Sequence, residues 1–408
     1  MKDRYGLIII GAGAAGLVAA ITAAERGKKV LLLEKSDRPG RKILASGNGR
    51  CNLMNLLPAP YHGDSAFADA VLRHCNAERL KSFFRQLGLL VREEEEGRVY
   101  PVTNQSASVL SALRSGAESC GVSIKLQCDV QSVVKGTDGA FIIRSITEEY
   151  TAEKVLVACG GAAQPKLGGS VDGYRFLASF GHRLIPVAPA LVPVTTNRKS
   201  ISGLSGIRAK CRITLLDRNG TSVREEKGEI LFTDYGVSGI CVMQCASGII
   251  SGEDTFEIDF LDPVFSSVEE AKAEITSRMD RFAARKAISL LEGILVPKLA
   301  FAVMKQAGMP MREELVRDIT EEAADSILYT ASHYSVSDLQ PRGMDQAQVT
   351  AGGIDCREFN PDTMESRLIP GLYAAGEVLN VNGDCGGYNL MFAFSSGIVA
   401  AEHAAEER

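Results

Sequence analysis

The sequence predicts an α/β fold whose dinucleotide-binding domain is assembled from both ends of the chain. Three observations carry that expectation. Residues 6–34 read as strand, glycine turn, helix, strand and terminal carboxylate. A strand of the same apolar type returns at 372–375, ahead of a helix at about 390–405. Between these ends the pattern changes twice, first to period-two strands and then to helical periodicity. At 408 residues the chain exceeds one hydrophobic core, so two or three domains are expected.

In the first segment, Ile8, Ile9 and Ile10 in succession suit a buried parallel strand. Gly11, Gly13 and Gly16 follow at GxGxxG spacing. Gly11 makes the tight turn, Gly13 lets a pyrophosphate approach the backbone, and Gly16 lets the helix pack closely on the sheet. Ala14 and Ala15 begin that helix, whose free N–H groups and dipole favour an anion. The second strand, at 29–33, ends in Glu34, 23 residues after Gly11, with Lys35 beside it. At that offset a carboxylate accepts hydrogen bonds from both hydroxyls of an adenosine ribose. The same apolar stretch, preceded by Lys2 and Arg4, also has the look of a signal peptide or membrane span. Three glycines in six residues weaken a spanning helix, no cleavage site leads into a mature start, and no other run reaches spanning length. A soluble, cytoplasmic protein is expected.

Composition narrows the function classes. The net charge of −5 with mixed signs gives no reason to expect a nucleic-acid or membrane partner. Ten cysteines contain no CxxC pair, which removes the usual signature of zinc ribbons and dithiol redox sites. Cys159, after the apolar run 155–157, reads as a buried reduced thiol, pointing to a reducing compartment. Five scattered histidines show no metal-ligand spacing, and no metal is expected.

Further along, helices are expected at 65–75 and at 77–87, the second closed by Gly88. The acidic run 93–96 reads as a solvated loop, and Ser106 as the N-cap of a helix over 107–120 ended by Gly121. Strands are expected at 122–128, at 130–135 beginning with Val130, at 140–146 and at 154–158. Residues 186–263 show period-two strands separated by turns such as 217–220. Residues 267–338 show helical periodicity with stops near Gly308 and Pro310. The implied domains are 1–187 with 341–408 for the dinucleotide, 188–265 as a β-rich insert and 266–340 as a helical insert.

Four glycine-rich loops abut strands or helices. In 40–52, Gly49, Arg50, Cys51 and Asn52 allow close backbone approach, while Arg41, Lys42 and Arg50 can neutralise pyrophosphate charge. Cys159, Gly160 and Gly161 end a strand in a diglycine where a chain passes close to a cofactor. Gly376 and Glu377 end another, and a carboxylate there can accept from a ribityl hydroxyl, which a nicotinamide cofactor lacks. Gly386, Gly387, Tyr388, Asn389 and Leu390 open the last helix, whose N–H groups can face a flavin's pyrimidine carbonyl. Each loop alone is ordinary turn chemistry; four of them around one fingerprint point to flavin. Val130 and Lys35 complete the expected cofactor set. Cys51 beside Arg50 is either a thiol of lowered pKa or a residue packed against flavin.

The blocks at 41–52, 228–233 with 236–239, 349–353, 363–366 and 371–397 resemble the BaiN-like (YhiN-like) flavoproteins, bacterial NAD(P)/FAD-dependent oxidoreductases. The match runs from about residue 4 to 404. The resemblance implies a discontinuous FAD-binding Rossmann domain of the glutathione-reductase type, a β-barrel-like insert, a small helical insert and non-covalent FAD. Where the family often has Asp-Val-Asp, this chain has Asn380, Val381 and Asn382, and Met391 replaces a frequent Gln. These departures lie beside the presumed flavin edge. Activities attributed to the family include bile-acid reduction and amine oxidation.

The expected cycle is hydride transfer from NAD(P)H to flavin N5 and then to a small organic acceptor such as an activated alkene. Tyr388 and Tyr100 are the candidate proton donors. Two alternatives are a flavin oxidase acting on an amine with oxygen, and a flavoprotein of RNA modification. Only residues 6–34 form a complete dinucleotide unit, so NAD(P)H is expected as a transient reductant in a cleft shared with the substrate.

Overall fold

The structure, a computed structural model, describes residues 4–58, 61–250, 252–309 and 314–406. Its contacts divide the chain into two compact units, Met1–Ala188 with Gln348–Arg408, and Pro189–Ala347.

The first unit is built on β1 (Arg4–Ile10), α1 (Ala14–Glu25), β2 (Val30–Leu33), α2 (Ser106–Ser119), β3 (Ser123–Lys125), β4 (Val130–Lys135), β5 (Phe141–Ser145), β6 (Glu149–Val157), β7 (Leu372–Ala374) and α3 (Tyr388–Ala405). The sheet runs β3-β2-β1-β6-β5-β4, with β7 also paired to β6. The strands β3, β2, β1, β6 and β7 are parallel, and β5 and β4 continue the sheet antiparallel. Burial on both faces explains the apolar runs: Leu7, Ile8 and Ile9 are fully buried. The register sets Ile10 against both Leu33 and Val157, so three strands end together at the turn after β1. From the far end of the sequence, β7 joins β6 at Val157–Ala374, which makes this domain discontinuous.

Helices α1 and α3 are apolar on nearly every face because they pack on each other and on the sheet. They pack tightly at Gly397, where a Cβ would stand 2.4 Å from the Ala15 carbonyl oxygen.

The second unit holds a seven-stranded sheet in the order Tyr334–Val336, Thr255–Asp259, Arg208–Leu216, Ser222–Phe232, Gly236–Ser238, Val194–Thr195, Gln340–Pro341. Its pairs are antiparallel. At the hairpin turn, Asp217 Oδ1 accepts the N–H groups of Asn219 and Thr221, both at 2.8 Å. Helices Val268–Arg281, Pro297–Gln306 and Glu321–Ser332 belong to the same unit, and the chain then returns to both edges of that sheet.

Several expected elements are corrected. Ser106 is the first residue of α2, not its cap; its hydroxyl donates to the Leu44 carbonyl at 2.9 Å. The strand expected at 154–158 is the longer β6, and that at 122–128 is only three residues long. The last helix starts at Tyr388, two residues early, because Gly387 at φ +106 lets the chain turn directly into it. Gly308 ends its helix at φ +78, whereas Pro310 and Lys2 lie outside the described residues. Among the described residues no helix is long and apolar enough to cross a membrane, and no cluster suited to a metal ion occurs.

Candidate functional site

The three fingerprint glycines differ in what surrounds them. A Cβ on Gly11, at φ +106, would fall 2.4 Å from the Ala158 carbonyl oxygen, and one on Gly16 would fall 1.8 Å from the Gly11 carbonyl oxygen. Both are glycine because the protein's own backbone occupies the space. Around Gly13 a Cβ would meet nothing within 4 Å. Gly13 is also the N-cap of α1, with no capping side chain and no acid in the first turn. The positive end of α1, at Ala14 and Ala15, is thus left open to a ligand.

At the end of β2, Glu34 is half-buried. Its Oε2 accepts the Ala12 N–H at 2.9 Å and its Oε1 the Ser36 N–H at 2.8 Å. Each oxygen keeps a further lone pair for a hydroxyl donor. The Gln127 and Cys128 N–H groups donate to the Ser36 and Glu34 carbonyls, which brings the chain leading to buried Val130 alongside. Lys35 is exposed and bridges Asp129 at 3.3 Å and Asp172 at 3.2 Å.

A second cluster forms around Glu377. A Cβ on Gly376 would stand 3.2 Å from the Ala15 Cβ, so this segment lies against the start of α1. Glu377 Oε1 accepts the Thr350 N–H at 2.9 Å, and Oε2 pairs with Lys42 Nζ at 3.0 Å. Gly161 is pressed against the same carboxylate, where a Cβ would fall 2.7 Å from Oε1, and Gly160 is close by. Lys42, the 160–161 diglycine, Thr350 and Glu377 therefore meet at one point. Arg41 is directed elsewhere, to the Lys166 carbonyl at 2.6 Å. Cys159 Sγ lies 3.4 Å from the Ile10 carbonyl oxygen, and burial pushes its thiol up.

The loop before Asn52 turns sharply, with positive φ at Gly47, Asn48, Gly49 and Cys51. Arg50 holds it: the guanidinium donates to Glu94 at 2.6 and 2.8 Å and to Asn104 at 2.6 and 3.0 Å, and it stacks over the Tyr100 ring at 4.0 Å. The acidic run is therefore not merely solvated. Hydrogen bonds from Arg50 and then Arg92 hold the Glu94 carboxyl below its usual range. Of the two readings of Cys51, the lowered pKa is overturned: the residue is fully buried, and loss of solvent pushes its thiol up to about 11, the reverse of activation. Asn52 is buried, and its Oδ1 has no hydrogen-bond partner; a Cβ on Gly387 would fall 2.7 Å from that oxygen.

Gly386 and Gly387, at φ +128 and +106, carry the chain into α3. Asn55 donates to the Gly386 carbonyl at 2.9 Å, and the Asn389 side chain accepts from Gly383 N–H at 2.8 Å and donates to its carbonyl at 2.7 Å. Leu390 is half-buried behind them. Tyr388 is buried; desolvation, and next the Asp384 charge, raise its phenol, which stays protonated. Tyr61 donates to the Tyr388 carbonyl at 3.0 Å, and His62 Nε2 lies 2.8 Å from Asp384 Oδ1. Sequence reasoning missed Asn55, His62, Glu94, Thr350 and Asp384. Only Thr350 carried a signal, through the glycine pair at 352–353.

The opening beside Gly13 and the orphaned Asn52 oxygen fit a bound dinucleotide. The fold and site define a flavoprotein oxidoreductase. The family described as HI0933-like protein Rossmann domain matches residues 5–403, and the chain belongs to it. It is 36% identical to the 3-dehydro-bile acid delta(4,6)-reductase of Clostridium scindens, with 99% of each chain covered. It is 30% identical to the ribosomal RNA dihydrouridine synthase of Escherichia coli, with 98% of each covered. Its fold resembles the 3-ketosteroid-delta4-(5alpha)-dehydrogenase of Rhodococcus jostii, with a TM-score of 0.50, 16% identity and coverage of 100% and 98%. As in its family, the protein is an FAD-dependent oxidoreductase, with FAD held non-covalently.

Proposed function

We propose that the protein is an NAD(P)H-linked reductase that delivers a hydride through FAD to a small organic acceptor bearing an activated alkene. One observation carries this reading: end-to-end similarity to a reductase whose name specifies a 3-oxo, delta(4,6)-unsaturated substrate. The dihydrouridine synthase name describes related chemistry, reduction of a carbon–carbon double bond conjugated to a carbonyl. The chemistry supplied by bound FAD is hydride relay between nicotinamide and the electrophilic carbon.

The chain's own residues bind and orient. Gly13 and the α1 terminus receive the pyrophosphate, Glu34 the adenosine ribose, and the Lys42–Glu377–Gly161 cluster the ribityl chain. Asn52 and the 386–389 loop face the isoalloxazine edge. Burial raises the Tyr388 phenol, which makes it a weak proton donor, and Tyr100 lies under Arg50. With one dinucleotide fingerprint, NAD(P)H binds transiently in the substrate's cleft. The protein works in the cytoplasm. A second reading, reduction of uridine in ribosomal RNA, draws on the relatives bearing that name; the net charge of −5 without a basic tract weighs against it.

Anaerobic mixing with NADH or NADPH tests the proposal. Rapid bleaching of the flavin, followed by reoxidation with enones, is expected. Reoxidation by oxygen with an amine as the only reductant would establish the oxidase instead, and dihydrouridine in an added ribosomal transcript would establish the RNA reading.

A further inference from the structure

Reducing an alkene takes a hydride and a proton, and the structure offers a proton carrier that the sequence did not reveal. The short strand Tyr61–Gly63 pairs antiparallel with Val381–Gly383, His62 facing Asn382 in the register. Asp384 follows directly and begins the glycine loop that opens α3. His62 Nε2 lies 2.8 Å from Asp384 Oδ1, with side-chain exposures of 37% and 13%. The imidazole is thus held at one nitrogen by a largely buried carboxylate while part of the ring meets solvent.

The mounting is rigid. Asp64 N–H donates to the Asn380 carbonyl at 2.8 Å, Asn380 Nδ2 donates to Asp64 Oδ2 at 3.0 Å, and Asn389 clamps Gly383 from both sides. The same loop runs on to Gly387, beside the orphaned Asn52 oxygen, and to Tyr388. Other charged groups near the ribbon are Asp64 and, from the following helix, Asp69, which acts on Tyr61; Glu96 and Arg98 act on Tyr388 with Asp384. The strand packed on the ribbon, Val349–Ile354, has no titratable side chain.

We infer that His62, oriented by Asp384, is the proton source for the acceptor, an inference resting on the reductase reading above. The hydride brings both electrons to the β-carbon of the enone. The imidazolium releases a proton to the α-carbon, closing the second C–H bond, and the neutral ring is reprotonated from solvent. The sum is NAD(P)H, one proton and the alkene giving NAD(P)+ and the saturated product. Asp384 is a positioning residue.

The test separates the half-reactions in the FAD-loaded enzyme, using cyclohexenone as probe acceptor. His62→Gln should leave bleaching by NAD(P)H near the wild-type rate and slow reoxidation by the enone about a hundredfold, the usual scale of general-acid catalysis. It should also abolish the solvent isotope effect on that step. A second readout needs no turnover: in 15N-labelled enzyme the His62 ring signals should report a hydrogen bond at Nε2 that Asp384→Asn weakens. Wild-type reoxidation in His62→Gln, an equal loss in both half-reactions, or His62 ring signals unmoved by Asp384→Asn would each overturn the inference. Failure of the wild-type enzyme to reduce any enone would instead overturn the reductase reading, and this inference with it.

Discussion

The two ends of the candidate site are built by different means. At the nucleotide end, between Gly11 and Glu34, every functional element comes from one contiguous strand–turn–helix–strand unit. Of the three fingerprint glycines, Gly13 is the one around which the protein leaves open space. At the flavin end the residues come from 42–52, 160–161, 350 and 376–389, and they first satisfy one another: Lys42 with Glu377, Arg50 with Glu94, Asn389 with Gly383. A local unit can hold its ligand-binding groups free because helix and strand geometry alone place them. A site gathered from distant segments needs its polar groups as fasteners, and so the charges that look like ligand contacts are partly structural.

Substitutions can break that contrast, and the largest effect is expected within the fingerprint itself. Gly16→Ala forces a methyl group onto the Gly11 carbonyl and should cost about 3 kcal/mol of apoprotein stability. Gly13→Ala should cost under about 1 kcal/mol of stability yet weaken FAD binding tenfold or more, about 1.4 kcal/mol. Chemical denaturation of the apoprotein together with FAD titration distinguishes the two, and equal behaviour would erase the distinction. Next, Glu34→Ala should weaken FAD binding by roughly 1.5–3 kcal/mol, the loss of charge-assisted hydrogen bonds. Unchanged affinity would place the ribose elsewhere.

At the flavin end, Glu377→Gln should lower apoprotein stability by about 1 kcal/mol, because Lys42 loses its partly exposed partner even with no cofactor present. An effect seen only in FAD affinity would show that this carboxylate is held for the ligand alone.

The smallest effect sharpens the same lesson at a third place. His182 has Nδ1 2.8 Å from Glu358 Oε2 and Nε2 2.9 Å from Ser366 Oγ, and its ring stacks on Phe359. Burial lowers its pKa, outweighing the Glu358 hydrogen bond. The unfolded chain therefore binds the proton more readily, and the contribution to stability is complete above the ordinary imidazole value of about 6.5. It is lost as pH falls from there through the depressed folded value, at no more than about 1.4 kcal/mol per pH unit. Denaturation midpoints across that acid range should fall in the wild type and flatten in His182→Gln.

The strand–turn–helix–strand unit was legible because its signals are local: glycines at fixed spacing, β-branched runs and one carboxylate at a set distance depend only on strand and helix repeats. The loops around Lys42, Arg50 and Asn389 were legible in residue type but not in partner. Arg50, Lys42 and Asn389 stood out as chemistry-bearing residues in glycine loops, but the Arg50 partner Glu94 is 44 positions away and the Lys42 partner Glu377 is fixed only when the chain ends meet. Ser106 read as a cap because caps are recognised by neighbours in sequence, whereas its hydroxyl serves Leu44 across 62 residues.

By itself the sequence determined the class of fold, the fingerprint and the flavin, since each follows from periodicity and short-range stereochemistry written into adjacent residues. Only the tertiary structure decided that Cys51 is an inert buried thiol, that Glu94 belongs to Arg50, and that His62 faces Asp384 from 322 positions away. Burial and long-range electrostatics arise from what packs against a residue, and no local pattern encodes that.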